Sequence, residues 1–322
     1  MRASRVAAAI GLAVVLTGVI ATQIATVWIE RRVPRDGERI AVAGTTLHVV
    51  DRGEGPPIVM IHGLMGQMRN FAPALVDRLT EAHRVVLVDR PGAGYSDPLP
   101  SGANTIAAQA TLIAGLIDYL ELDEPTVVGH SLGGAVALAV ALDHPERVGA
   151  LALIAPASRP KREAGSAFGA VGIGFDPLRH ALSLSAATPF GLAVFNRSAE
   201  AIFAPEPLAP DFATTGGGLL SIRPTSYFAA GNDLKALRDA LPDMAERYAT
   251  LDVPTHILFG KDDPIVDPEW NGAFLRDMVP NATLTEIEGG HMIVYTAPGQ
   301  VAEWFSDIAG SHAAGNEVIA AQ

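Results

Sequence analysis

Val127-Val128-Gly129-His130-Ser131-Leu132-Gly133-Gly134-Ala135 is the stretch on which the reading of this chain turns. Thr126 to Val128 is a short apolar run of strand type, and Leu132 opens an alanine-rich helical stretch reaching Leu142. Between them a Gly-x-Ser-x-Gly pentapeptide has to reverse the chain within a few residues. A serine on such a turn carries a strained backbone, and glycines must flank it because a Cβ there would collide with neighbouring strands or with the turn. The helix that begins at Leu132 aims its first N–H groups and its positive dipole end at the seryl oxygen, where negative charge develops during reaction. A glycine-rich turn with an incidental serine has the same five letters. The strand-turn-helix setting is what makes Ser131 the candidate nucleophile.

Outward from this turn the chain alternates strands and helices. Glu38 to Ala43 and Thr45 to Asp51 read as a hairpin about Gly44, and Gly53-Glu54-Gly55-Pro56-Pro57 stops the sheet before the buried-type run Ile58-Val59-Met60-Ile61. Further runs of strand length lie at Val85 to Val88, Leu151 to Ile154, His256 to Phe259 and Thr283 to Ile287, with a helical stretch at Asn104 to Leu120. Such βαβα order predicts an α/β fold, a mostly parallel sheet with helices on both faces. Its active groups belong at the carboxyl ends of the strands. From Ala157 to Thr250 the strand runs vanish and prolines and aromatics take their place. A structureless loop of that length would be anomalous in a compact domain, so residues 157–250 are expected to be a helical insertion after the sixth strand, with Asp233 to Tyr248 its clearest helix despite Pro242.

Composition bounds the function. The 322 residues are 49% hydrophobic and 18% charged, enough to bury a large core. A net charge of −12 argues against a nucleic-acid partner, which would need a basic face. The absence of cysteine excludes disulfides, thiolate metal sites and a cysteine nucleophile. No His-Glu-x-x-His or Walker lysine loop occurs, and Gly92-Ala93-Gly94 lacks the third glycine of a dinucleotide fingerprint, because Asp97 stands there. No cofactor or metal is expected.

The amino terminus is read apart from the fold. From Val6 to Ile29 no side chain is ionisable. As a helix this run reaches roughly 36 Å, enough to cross about 30 Å of hydrocarbon. Residues 1–30 are therefore expected to be an uncleaved single-pass anchor, with Trp28 at its edge. The competing reading is a cleaved signal peptide begun by Arg2 and Arg5, which would leave the protein secreted or periplasmic. Against it, the run is long for such a segment, and the only small-x-small site near its end is the weak Val19-Ile20-Ala21. Arg31, Arg32, Arg35 and Arg39 outnumber Arg2 and Arg5, which tilts the orientation toward a cytoplasmic carboxyl-terminal domain. The core then occupies 36–156 and 251–310, with a flexible tail at 311–322.

Five motifs in order make the chain resemble the α/β-hydrolase superfamily from about Arg39 to Gly310. They are Ile61-His62-Gly63-Leu64-Met65-Gly66, Asp89-Arg90-Pro91-Gly92-Ala93-Gly94-Tyr95-Ser96-Asp97, the Ser131 turn, Gly260-Lys261-Asp262-Asp263-Pro264 and Gly289-Gly290-His291-Met292. The insertion carries no signature that narrows the subfamily. A seryl hydroxyl needs a base, and the base an acid to orient it. His291, late in the chain behind a flexible Gly-Gly turn, stands where the order serine, acid, histidine places the base. For the acid, Asp262 and Asp263 are adjacent and Asp267 lies further on; the family's Gly-x-x-Asp pattern implies Asp263. Some relatives carry the acid after the sixth strand, where this chain reads Ile154-Ala155-Pro156-Ala157 and has no carboxylate. The resemblance also implies an oxyanion hole made by the backbone N–H groups of Leu64 and Leu132. His62 is expected to be a structural hydrogen-bonder, and His130 to point away from its neighbour.

These residues predict a membrane-anchored serine hydrolase acting on a small, hydrophobic ester. Phe168, Phe175, Phe190, Phe195, Phe203, Phe212, Tyr227 and Phe228 of the insertion either favour an apolar substrate group or pack the lid onto the core. A carbon–carbon bond hydrolase or a perhydrolase would use the same three residues. Halide-releasing and epoxide-opening relatives use aspartate at the turn, where Ser131 stands. From another class, a membrane-tethered binding protein with an inert fold remains as an alternative.

Overall fold

A computed structural model describes residues 2–100, 102–160 and 175–308. Phe168 and the tail at 311–322 lie outside the described residues. Eight strands form one sheet: β1 (Glu38–Val42), β2 (Thr45–Arg52), β3 (Pro57–Ile61), β4 (Arg84–Val88), β5 (Thr126–His130), β6 (Ala150–Ile154), β7 (Thr255–Gly260) and β8 (Ala282–Ile287). Their spatial order is β1-β2-β4-β3-β5-β6-β7-β8. β2 is antiparallel to both its neighbours, and β4 through β8 are parallel. The inner parallel strands β3 to β7 are mostly apolar and buried because helices cover both faces, whereas the edge strand β8 is largely exposed.

Strand periodicity sorts the core into two halves. Val59 and Ile61 of β3 face one side, with α3 (Ile106–Tyr119) and α4 (Leu132–Asp143), while Ile58 and Met60 face the other, with α2 (Pro73–Leu79) and a last helical run over 298–308. Thr105 caps α3, its hydroxyl accepting from the Ala108 N–H at 3.0 Å. α4 needs small residues because it runs directly beneath the sheet. A Cβ on Gly133 would run into the carbonyl oxygens of Ile61 and His62 at the end of β3.

Between β6 and β7 the chain leaves the sheet to build helices. α5 (Asp176–Leu182) continues through a π-helical turn (Ser183–Ala187) into α6 (Thr188–Phe203). After a short 3-10 turn at Gly218–Ile222 follows α7 (Pro224–Arg247), which starts well before the expected Asp233 and passes through Pro242. Pro224 suits its first turn, where a missing N–H costs nothing. α8 (Phe274–Met278) and α9 (Ile293–Thr296) complete the core.

The amino-terminal segment departs from expectation. Its helix α1 (Arg2–Arg32) is long and apolar, but its second half is not apart from the fold. Ile29 and Val33 are buried in a cluster with Leu219, Leu220 and Ile222 of the insertion. Arg223 fastens the contact through an ion pair with Glu30 at 2.8 Å and a hydrogen bond to the Gly94 carbonyl. A hydropathy pattern reports how apolar a helix is and cannot report what covers one of its faces.

Candidate active site

Ser131 stands between the last residue of β5 and the first of α4 with φ 56° and ψ −120°. Non-glycine residues pay strain for this left-handed geometry, and here the surroundings enforce it. The Ser131 N–H donates to the Ile154 carbonyl at 3.0 Å, and its own carbonyl accepts from Gly134 at 2.9 Å and Ala157 at 3.0 Å. The turn is thus pinned to β6 and to the first turn of α4. Leu132 is the first residue of that helix, so its N–H has no intrahelical acceptor. Gly63 lies so close that a Cβ on it would stand 3.0 Å from the Ser131 Cβ, which brings the loop bearing Leu64 beside the serine.

His291 and Asp263 come together as a buried pair, with Nδ1 of His291 2.7 Å from a carboxylate oxygen of Asp263. The other carboxylate oxygen accepts the N–H groups of Ile265 at 2.8 Å and Val266 at 2.9 Å. Every Asp263 lone pair that matters is therefore committed, and the carboxylate cannot swing away. Asp262 is exposed beside it, and Asp267 accepts from the N–H of Trp270, in the π turn Glu269–Ala273, at 2.9 Å. Geometry alone separates the three acids.

His130 links this pair to the serine. Its Nε2 donates to the His291 carbonyl at 3.0 Å, and the two rings lie 4.8 Å apart. Burial, reinforced by His291, pushes its pKa down to about 3. His130 is consequently a neutral strut that anchors the His291 backbone to the residue before Ser131.

A second buried network holds the loop bearing Leu64. The Arg90 N–H donates to His62 Nε2 at 2.9 Å, which leaves Nδ1 of His62 to donate to the Gly63 carbonyl, also at 2.9 Å. The Arg90 guanidinium then bonds the carbonyls of His62 and Gly63, the Gln109 side chain and, at 2.8 Å, Asp233 of α7. Burial first, then the Arg90 charge, lowers the His62 pKa to about 4. Next to Arg90, Asp89 accepts from His48 and from the Met68 and Tyr95 N–H groups. Burial alone would push Asp89 up, yet these hydrogen bonds and the nearby histidines hold it below the ordinary carboxylate range.

Three contacts were not anticipated from the sequence. Asp233 ties the insertion to the loop bearing Leu64. Glu206, also from the insertion, accepts the Gly290 N–H at 3.1 Å on both its oxygens and so supports the turn that carries His291. Asp211 accepts from the Tyr295 hydroxyl at 2.9 Å. Of the insertion's aromatics, Phe203 and Phe212 are buried against Tyr295, whereas Phe175 and Phe190 are exposed. Among the described residues no cluster of histidine and carboxylate side chains could hold a metal ion.

The chain belongs to the alpha/beta hydrolase fold family, whose sequence model matches residues 56–298. A 2-hydroxymuconate semialdehyde hydrolase of a Pseudomonas species is 34% identical over 126 residues, 38% of this chain and 44% of that protein. The chain spans less than half the length of the curated relatives it matches. Among solved structures, an esterase from Exiguobacterium antarcticum is 26% identical with a TM-score of 0.69, covering 85% of this chain and 99% of its own. A bacterial membrane phospholipase A shares the fold at 22% identity and a TM-score of 0.69, covering 97% of this chain and 99% of its own.

Proposed function

We propose that the protein is a serine hydrolase of carboxylic esters, held to a membrane by α1. The observation that carries this reading is the buried pair of His291 and Asp263 at 2.7 Å, tied through His130 to the strained turn of Ser131. Ser131 Oγ attacks the ester carbonyl while His291 removes its proton. The oxyanion that forms is held by the N–H groups of Leu64 and Leu132. Collapse of the tetrahedral intermediate expels the alcohol, which takes the proton back from His291, and leaves an acyl group on Ser131. Water, deprotonated in turn by His291, releases the acid and restores the serine. Asp263 fixes the ring so that Nε2 is the basic nitrogen, and it stabilises the imidazolium.

The decisive experiment replaces Ser131 with Ala. Turnover of p-nitrophenyl esters should fall at least about 10³-fold, and labelling by a fluorophosphonate should disappear while circular dichroism is unchanged. Retained turnover would remove Ser131 from the mechanism, and unlabelled parent protein would favour an inert binding protein. A second reading, hydrolysis of carbon–carbon bonds, draws on the semialdehyde hydrolase among the relatives. Ring-cleavage diketones consumed faster than esters by the parent protein would favour it.

A further inference from the structure

Two long uncharged segments of the described residues lie side by side outside the core. One is α1, which has no ionisable side chain between Arg5 and Glu30. The other belongs to the insertion, where none occurs between His180 and Arg197, through the π turn and most of α6. From Gly18 onward α1 turns one stripe toward that segment: Gly18 and Val19 are half-buried, Thr22 is buried, Ala25 and Thr26 are half-buried, and Ile29 is buried. The approach is close at its start, since a Cβ on Gly18 would run into the Ser185 carbonyl. Pro189 offers that carbonyl no N–H, and the helix widens there to the i+5 pattern. Further along, Trp28 and Arg32 line one cleft together with Arg197 and Glu200.

The two contacts fix a common level. Gly18 meets Ser185, and Trp28 shares its cleft with Arg197. As helix, the intervals Gly18–Trp28 and Ser185–Arg197 are roughly 15 and 18 Å. α1 and α6 therefore run in the same direction at the same pace, and both become charged at the same height. The Arg32 guanidinium sits 4.5 Å over the Trp28 ring at this height, an arrangement suited to a membrane–water boundary.

Length then decides where the lipid must be. Before Gly18 the described side chains from Val6 to Thr17 are exposed, roughly 18 Å of helix against about 30 Å of hydrocarbon. If α1 spans while its second half stays docked, lipid has to lie alongside Gly18 to Trp28 as well. The insertion reaches the same depth, and its outward side chains there are apolar, with Leu184 38% and Phe190 60% exposed.

We propose that the outward face of Leu184 to Asn196 is immersed in one leaflet beside the second half of α1, with the membrane surface at the level of Trp28 and Arg197. The inference rests on the reading of α1 as an anchor. The occupant of this face is lipid, not a second protein.

Because the chain has no cysteine, single labelling sites can be introduced without removing any. The full chain would be reconstituted in phosphatidylcholine vesicles with an environment-sensitive fluorophore at Phe190→Cys, Leu184→Cys, Leu12→Cys or Tyr119→Cys. All four positions are exposed, and Tyr119 closes α3 of the core. Fluorophosphonate labelling of each variant would check its fold. Expected is a several-fold lower iodide quenching constant at Phe190 and Leu184 than at Tyr119, with strong quenching by doxyl-labelled phosphatidylcholine, as at Leu12. Iodide quenching at Phe190 and Leu184 equal to that at Tyr119, with Leu12 quenched by lipid, would overturn the immersion and leave the anchor standing. Iodide quenching at Leu12 as well would overturn both.

Discussion

Asp233→Asn tests whether the insertion holds the loop bearing Leu64 in place. Asp233 and Arg90 are 3% and 1% exposed, with 2.8 Å between carboxylate and guanidinium. The other Asp233 oxygen accepts from Asn104 at 2.9 Å and from Gln109 at 2.9 Å. Asparagine has the same shape but one acceptor and one donor. Whichever way its amide faces, an N–H meets another N–H, and the Arg90 charge loses the carboxylate paired with it. Breaking a buried pair in this way costs about 3–5 kcal/mol, a large part of the roughly 5–15 kcal/mol of a typical native state. Urea denaturation followed by near-ultraviolet circular dichroism should show the loss as a lower midpoint. Because Arg90 also grips the His62 and Gly63 carbonyls, kcat for p-nitrophenyl esters should fall under conditions where the variant is still folded. A change within about 0.5 kcal/mol, the range of ordinary surface substitutions, together with parental kcat, would refute the argument that this network supports the site.

Acid should destabilise the protein earlier than its carboxylates require. His62 and His130 stay neutral in the native state down to about 4 and about 3, while in the unfolded chain they protonate near 6.5. The unfolded state therefore binds more protons below pH 6.5; stability is full above that pH and declines as pH falls toward the two lowered values, by about 2 kcal/mol per ring at pH 5. A urea midpoint that is flat from pH 7.5 to 5 would contradict this. Gly133→Ala should press a methyl group on the end of β3 and displace the Leu64 N–H, lowering esterase kcat by about 10²- to 10³-fold; parental kinetics would show that the close approach is dispensable. Glu206→Ala should free the turn of His291 and reduce kcat by about 10- to 100-fold, with Glu206→Gln nearer the parent because it keeps one acceptor. Equal activities of both variants and the parent would remove Glu206 from any positioning role.

The sheet was legible because parallel strands buried on both faces must be apolar throughout, and the runs at β3 to β7 are. Ser131 was legible because its turn requires glycines at fixed offsets. Which aspartate pairs with His291 was not legible from residue types, since Asp262 and Asp263 are neighbours of the same chemistry and only the fold buries Asp263 against that ring. Asp233 hides among Lys235, Arg238 and Asp239 on a polar helix. Its one signal is spacing, three residues before buried Ala236 and four after buried Ala229, which puts it on the inward stripe of α7. The docking of α1 left a comparable trace. Gly18, Thr22 and Thr26 interrupt the apolar run at four-residue intervals, one face of a helix made of small side chains that admits a close neighbour. Glu206 left no such trace, because it acts through a backbone N–H that any residue at position 290 except proline would supply.

The cluster of Ile29 and Val33 with Leu219, Leu220 and Ile222 bears on how the protein can be handled. Trimming the amino terminus up to Arg35, the natural choice for a water-soluble enzyme, would strip the cover from three apolar residues and leave Arg223 without Glu30. The product would trade a lipid-seeking helix for a sticky wound on the insertion, prone to self-association during purification. A cut just ahead of Gly18 would discard the exposed part of α1 and keep the half that serves as a plug.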